Sequence, residues 1–373
     1  MTSPVPLLDL KAQFATLRDD VLPALLDVVE TQQFIMGPAV GALETAVAAY
    51  CGAGAAVACA SGTDALLLSF RALDLRPGDE VITTPFSFFA TAGAVVNAGG
   101  RPRFVDIDPR TYNIDPDLVE AAVTDRTRAI EPVHLFGQMA PIERLATTAS
   151  AHGLKIVEDA AQAIGARRVL RDRTVHAGTV GLTGAFSFFP SKNLGGWGDG
   201  GMIVTSDEGL AERLRRLRTH GGAKQYHHEE VGTNSRLDTL QAAVLLRKLA
   251  HLDQWNATRR ARAARYAECF DDVAEVHCPV TDRGNEHTFH QYTIRGDRRD
   301  ELQAHLRARQ IGCAVYYPTP LHLQPCFQEL GYRQGQLPVA EGASAEVLSL
   351  PIYPELTDDQ QDRVVDAVRE FYR

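Results

Sequence analysis

Lysine occurs at only five positions of this chain, Lys11, Lys155, Lys192, Lys224 and Lys248, so that 33 of its 38 basic residues are arginine. A guanidinium supplies positive charge but effectively never loses its proton. A lysine amine can lose it and attack a carbonyl. Lys192 stands between an aromatic run and a glycine run in GAFSFFPSKNLGGWGDGGMIVT. By itself such a residue reads first as a surface lysine in a turn.

Three other stretches carry chemistry-bearing residues. In ASGTDALLLSF (60–70), a buried strand ends near Cys59 and Ser61-Gly62-Thr63 opens a helix. Free N–H groups and the helix dipole favour an anion there, and Gly62 would let a phosphate come close. Ser61 and Asp64 also have the spacing of a capping box. In KIVEDAAQAIGA (155–166), Asp159 lies near the carboxyl end of an apolar strand, followed by Gln162. A buried carboxylate needs a partner, either a protonated heterocyclic nitrogen or an arginine. In TTPFSFFATAG (83–93), Phe86, Phe88 and Phe89 follow a strand end; one ring could stack on a flat ligand, or all could be core. A phosphate cup, an acid for a ring nitrogen, an aromatic face and a lysine for an aldehyde are together what pyridoxal 5′-phosphate requires.

These groups need strand ends to hold them. Short apolar runs at 55–60, 80–84, 102–107, 129–135, 155–160, 185–189 and 201–205 alternate with amphipathic stretches. That alternation predicts an α/β fold with a parallel or mixed sheet covered on both faces, whose ligands bind at the strand carboxyl ends. From residue 236 a long helical stretch is predicted, then a strand (288–295), a helix (300–310), a strand (313–317) and a last helix capped by Thr357. A helix around DDVLPALLDVVET would carry Pro23 in its first turns. The expected division is 1–250, an N-terminal helix with the large domain, and 251–373, a smaller α+β domain.

Composition narrows the rest. The net charge of −9 argues against a nucleic-acid surface. No apolar run approaches a membrane span, and the N-terminus lacks the pattern of a secretory signal. The six cysteines are scattered without a CxxC and read as small core residues of a reducing compartment. The expected location is the cytoplasm. His220, His227 and His228 are spaced too loosely for a metal site, so no metal is expected.

The succession SGTDAL, VEDAAQAIGA, FSFFPSKNLGGWGDGGMIVT and GTNSRLDTLQAAVL resembles the DegT/DnrJ/EryC1/StrS family of sugar-nucleotide aminotransferases across nearly the whole chain. The resemblance implies a fold-type I, aspartate aminotransferase-like architecture and a homodimer with shared active sites. It makes Lys192 the residue that condenses with the cofactor aldehyde and Asp159 the partner of the pyridine nitrogen. Gln162 would lie at the ring hydroxyl side and Phe88 on the ring face. Gly62, Thr63 and Ser187 would hold the phosphate, with Asn234 reaching it from the neighbouring subunit. L-glutamate is the implied amino donor and a keto sugar nucleotide the acceptor. The GDGG run and the segment from 218 to 249 are similar to the branch that aminates C3, closest to the UDP-2-acetamido-2-deoxy-3-oxo-glucuronate type, with Arg236, Tyr316 and Tyr317 facing the substrate. The Tyr-Tyr pair departs from the His-Tyr expected for a uronate, so a dTDP-linked 3-keto-6-deoxyhexose competes. Arg236 could bind a diphosphate bidentately or form an interface ion pair. His322 is a further candidate for the sugar pocket. Amination at C4, another reaction on the same scaffold, or a non-catalytic cofactor-binding regulator are the alternatives.

Overall fold

The computed structural model describes residues 3–224 and 226–373. Nine strands lie in the first part of the chain: β1 (Ala55–Cys59), β2 (Glu80–Thr83), β3 (Arg101–Phe104), β4 (Thr127–Ile130), β5 (Lys155–Asp159), β6 (Arg167–Leu170), β7 (Arg173–His176), β8 (Thr183–Ser187) and β9 (Gly201–Thr205). Seven of them form one sheet in the order β1-β9-β8-β5-β4-β2-β3. Only β9 runs antiparallel to its neighbours; the other pairings are parallel. The carboxyl ends of β1, β2, β4, β5 and β8 therefore share one edge.

Strand alternation explains why both faces are covered. Ile82, Ile130, Ile156, Phe186 and Met202 face one way, onto the helices Pro38–Cys51, Ile142–His152 and Thr239–Leu249. Their neighbours Val81, Ala129, Val157, Ala185 and Ile203 face the other, onto Gly62–Arg71, Ala90–Asn97 and Glu208–Leu217. Strands apolar on both faces can be stable only between two helical layers. The sequence predicted this sandwich; it did not predict the β6–β7 hairpin.

A second apolar cluster is built on the small sheet of β10 (Val276–His277), β12 (Tyr292–Gly296) and β13 (Val347–Leu350). The intervening β11 (Asn285–Glu286) pairs instead with β6. The helix Leu252–Phe270 joins the two parts: Leu252 packs in the first cluster, Tyr266 and Phe270 in the second. Val5 also packs in the second cluster and pairs with Ile311, so the start of the chain returns to the region of its end.

Several expectations are corrected. The long helical stretch is two helices, Thr239–Leu249 and Leu252–Phe270; no glycine or proline announces the break. The first helix begins earlier, at Leu10, where Asp9 accepts hydrogen bonds from Lys11 N (3.0 Å) and Ala12 N (2.9 Å). Pro23 consequently lies mid-helix, on an exposed position where the carbonyl it leaves unpaired can meet water. Residues 313–317 form no strand. Only Ala314 makes a bridge, to Ser349, and the adjacent Tyr316 and Tyr317 both turn into one cavity, which the alternation of a pleated strand forbids. β4 ends at Ile130, before Pro132, and β12 starts only at Tyr292. The last helix does begin at Thr357, in a complete capping box with Gln360. All six cysteines are free; Cys51, Cys59 and Cys313 are buried, but Cys326 is exposed and not a core residue. Among the described residues no helix is long and apolar enough to cross a membrane.

Candidate active site

A cavity of about 420 Å³ opens at the shared carboxyl edge. Its wall includes Gly62, Thr63, Phe88, Asp159, Gln162, Ser187, Lys192, Tyr316 and Tyr317. Residues scattered over some 250 positions of sequence are thus brought together.

Lys192 is carried on the loop between β8 and β9. Hydrogen bonds from Phe188 N to Gly200 O (2.8 Å), Lys192 N to Phe189 O (2.8 Å) and Gly196 N to Phe188 O (2.7 Å) fold that loop tightly. The glycines are there for close approach. A Cβ on Gly195 would sit 2.2 Å from Pro190 O, and one on Gly201 would sit 2.2 Å from Ser61 O. Behind the loop, the buried Lys248 donates to Gly195 O (2.5 Å). The Lys192 amine makes no hydrogen bond or ion pair among the described residues. Burial lowers its pKa from 10.5 to about 8, against the opposing pull of Asp159. The result is an amine that gives up its proton far more readily than an ordinary lysine.

Asp159, at the end of β5, is buried. It accepts from the Thr91 hydroxyl (2.8 Å) and from Ala161 N (3.2 Å), and Ser87 lies 2.8 Å from the Thr91 hydroxyl. It has no arginine partner among the described residues, so the ion-pair alternative is not what the fold built. Burial raises its pKa; the Thr91 and Ala161 hydrogen bonds and the nearby Lys192 oppose that rise. A cation placed in the cavity would keep this carboxylate ionised.

The anion cup forms where β1 gives way to the helix Gly62–Arg71. Ser61 Oγ accepts from Asp64 N (3.1 Å), so the cap is real. It satisfies Asp64 and leaves the Gly62 and Thr63 N–H groups free, both in the cavity wall. A Cβ at Gly62 would lie 2.6 Å from Ser187 Cβ, and only glycine lets β8 and the helix start converge. The helix start thus brings two unpaired N–H groups, the hydroxyl-bearing Thr63 and Ser187 and the helix dipole to one part of the cavity wall.

Of the three phenylalanines, only Phe86 is core. Phe89 stacks on Phe327, with centroids 5.5 Å apart. Phe88 is 58% exposed and lies over the cavity. Gln162 Oε1 accepts from Phe136 N (2.8 Å), which turns Nε2 toward the Tyr317 hydroxyl (2.8 Å).

Three candidate residues do not line this chain's cavity, among them Asn234, which is expected at the site of a neighbouring subunit. His322 does not line the cavity: it is buried, 3.1 Å from Glu341 and packed near Phe104 and Tyr332. Asn234 is exposed and Arg236 half-buried, both outside the wall formed by this chain. Arg236 makes no ion pair among the described residues. His228 Nδ1 lies 3.0 Å from His220 O, and no metal-binding group is formed among the described residues.

Other residues of the site carried no signal strong enough to single them out. Ser191, Asp199, His290 and Gln291 line the cavity. Ser235 donates to Asp64 Oδ2 (2.6 Å) and accepts from Ala60 N (3.2 Å), bracing the helix start. Thr91 could have been suspected from its i+4 spacing to Ser87.

Comparison with known proteins places this geometry. The model of the DegT/DnrJ/EryC1/StrS aminotransferase family matches residues 16–369. The chain is 51% identical to a pleiotropic regulatory protein of Geobacillus stearothermophilus, covering 99% of both chains. It is 47% identical to the dTDP-3-amino-3,4,6-trideoxy-alpha-D-glucose transaminase of Streptomyces venezuelae (99% and 97% covered). It is 46% identical to a UDP-N-acetyl-3-dehydro-alpha-D-glucosamine 3-aminotransferase of Acidithiobacillus ferrooxidans (98% and 97% covered). The solved structure of S. venezuelae DesV in complex with a ketimine intermediate superposes with a TM-score of 0.96 at 46% identity, over 100% and 99% of the chains.

Proposed function

We propose, for a chain that belongs to the DegT/DnrJ/EryC1/StrS aminotransferase family and is a sugar aminotransferase, that it transfers an amino group from L-glutamate to C3 of a keto sugar nucleotide, using pyridoxal 5′-phosphate. The observation that carries this reading is the convergence of Lys192, Asp159 and the Gly62–Thr63–Ser187 anion cup on one cavity.

The cavity fits the cofactor on its own terms. Asp159 is a buried carboxylate with room for a cation, the helix start offers unpaired N–H donors, and a Cβ at Gly62 would close the cup. When bound, the cofactor supplies an electron sink for the carbon whose proton is moved. Asp159 holds a proton at the ring nitrogen. Thr91 and Ala161 N fix the orientation of the carboxylate that would hold it. Lys192 Nζ, its proton affinity lowered by burial, would move a proton from the carbon that gives up the amine to the carbon that receives it. Phe88 and Tyr317, tilted rings with centroids 6.4 Å apart in the cavity wall, would cover the cofactor ring.

C3 is supported by the two transaminase relatives, whose names place the amine there. They differ in nucleotide, which leaves both a UDP-linked and a dTDP-linked sugar in view. Asn234 and Arg236 serve the site of a second copy. In support, exposed Phe34, Ile35 and Met36 adjoin that loop, with Ile35 bridged to Asp238.

Incubation of the purified enzyme with glutamate and a panel of keto sugar nucleotides, read by mass spectrometry, tests the proposal. A C3 amino sugar is expected, and Lys192→Ala should lose both this product and the visible absorbance of the bound cofactor. Amine formed only at C4, or none with any acceptor, overturns the reading; so does an active Lys192→Ala enzyme.

A further inference from the structure

His290 lies in the cavity wall and has no part in the roles above. The amides behind it fix its tautomer. The Ile164 carbonyl can only accept, so Asn256 turns Nδ2 to it (3.2 Å). Asn256 Oδ1 is then left to accept from Asn193 Nδ2 (2.8 Å). Asn193 Nδ2 also donates to the Thr288 carbonyl (3.1 Å), which sets the same orientation a second time. Asn193 Oδ1 therefore faces His290 Nδ1, at 3.2 Å. An amide oxygen only accepts, so the hydrogen is on Nδ1.

The ring stays neutral. Burial, with the charges of Lys192 and Arg259 nearby, holds its pKa well below the ordinary value. Nε2 is then a bare acceptor with no partner among the described residues, on a residue that lines the same cavity as Lys192. The neighbouring charge decides what it can accept from. The buried Arg259 donates to the carbonyls of Phe289 (3.1 Å) and Ile352 (2.8 Å), and has no carboxylate within ion-pair distance among the described residues. An ammonium brought to Nε2 would be repelled by that guanidinium; a hydroxyl would not.

We propose that His290 Nε2 accepts a hydrogen bond from a substrate hydroxyl on a carbon next to the one aminated, and so selects which keto sugar is turned over. The position follows from the shared wall: His290 lines the cavity that holds Lys192, as well as a smaller pocket beside Arg259, and its bond to Asn193, the residue after that lysine, holds it there. The proposal rests on the sugar aminotransferase reading. A buried acceptor left unpaired by a deoxy substrate is the source of the discrimination.

Two measurements test it. In the holoenzyme labelled with ¹⁵N-histidine, the signal of His290, identified by its loss in His290→Gln, should show Nδ1 protonated and Nε2 bare at neutral pH. A proton on Nε2 overturns the proposal. In kinetics, pairs of keto sugar nucleotides with and without a hydroxyl at each carbon flanking the ketone are compared. The wild type should prefer the hydroxylated member of one pair by about tenfold or more in kcat/KM, and His290→Phe should bring that preference close to one. The half-reaction with glutamate should fall by a smaller factor. An unchanged preference, or an equal loss in both half-reactions, overturns the proposal. A wild type that aminates no keto sugar sinks the functional reading and this proposal together, whereas the spectrum reports on His290 alone.

Discussion

Glu158 and Asp159 are adjacent carboxylates on β5, both buried, pointing to opposite sides of the sheet. Glu158 is saturated: it pairs with His134 Nε2 (2.7 Å) and accepts from Gly178 N (2.9 Å), Val180 N (2.7 Å) and Gly181 N (2.6 Å). Asp159 has one hydroxyl, one N–H and an open cavity. Charge burial alone therefore does not mark a catalytic group. What separates the two is unused hydrogen-bonding capacity, which the helical layer fills on one side and a ligand must fill on the other.

Swapping each acid for its amide tests that contrast most directly. Asp159→Asn should lower turnover by at least about a hundredfold while the fold is kept, since the amide cannot hold a proton on the ring nitrogen. Glu158→Gln should instead destabilise by about 1–3 kcal/mol in denaturant titrations, because its amide nitrogen would face backbone N–H donors that the carboxylate now satisfies. If both variants mainly lose stability, the contrast is wrong.

The cup comes next. Gly62→Ala should weaken cofactor affinity about tenfold, as its Cβ meets Ser187 at 2.6 Å. An unchanged affinity would mean the helix start is not the anion site.

Lys192 sharpens the same contrast through pH. Its amine titrates near 8 when folded, against 10.5 as the ordinary value. Between those values the unfolded chain binds the proton that the native chain has lost, so stability should rise with pH across that window. In cofactor-free protein, Lys192→Met should therefore raise the melting temperature at pH 7, with the gain shrinking toward pH 10.5. A gain independent of pH would show that the amine is not shifted. Lys248, buried and likewise lowered to about 8, should retain its own dependence in that variant.

The smallest effect is expected at His322. Because it faces Glu341 and not the cavity, His322→Gln should leave KM for the sugar unchanged and cost about 1 kcal/mol of stability. A raised KM would return it to the site.

Much of the site could be read before any coordinates. Lys192 stood out because this chain uses arginine for plain charge, and the alternating strands required the layered sheet. The failures have physical causes. The residue types of His322 and Cys326 say nothing about which cavity or surface their loop reaches. Aromatic residues favour strands, which predicts one over 313–317, but a loop that must turn Tyr316 and Tyr317 the same way overrides that preference.

Residue types and local spacing were enough to determine the elements, the sandwich and the kinds of groups that meet at its edge, because periodicity and capping act within a few residues of chain. Only the tertiary structure decided which polar groups stay unsatisfied. That depends on what packs behind each one: three backbone N–H groups for Glu158, an open cavity for Asp159, and for His290 two ordered amides ending at a carbonyl. Hydrogen-bond capacity is used up by neighbours distant in sequence, and no local pattern records them.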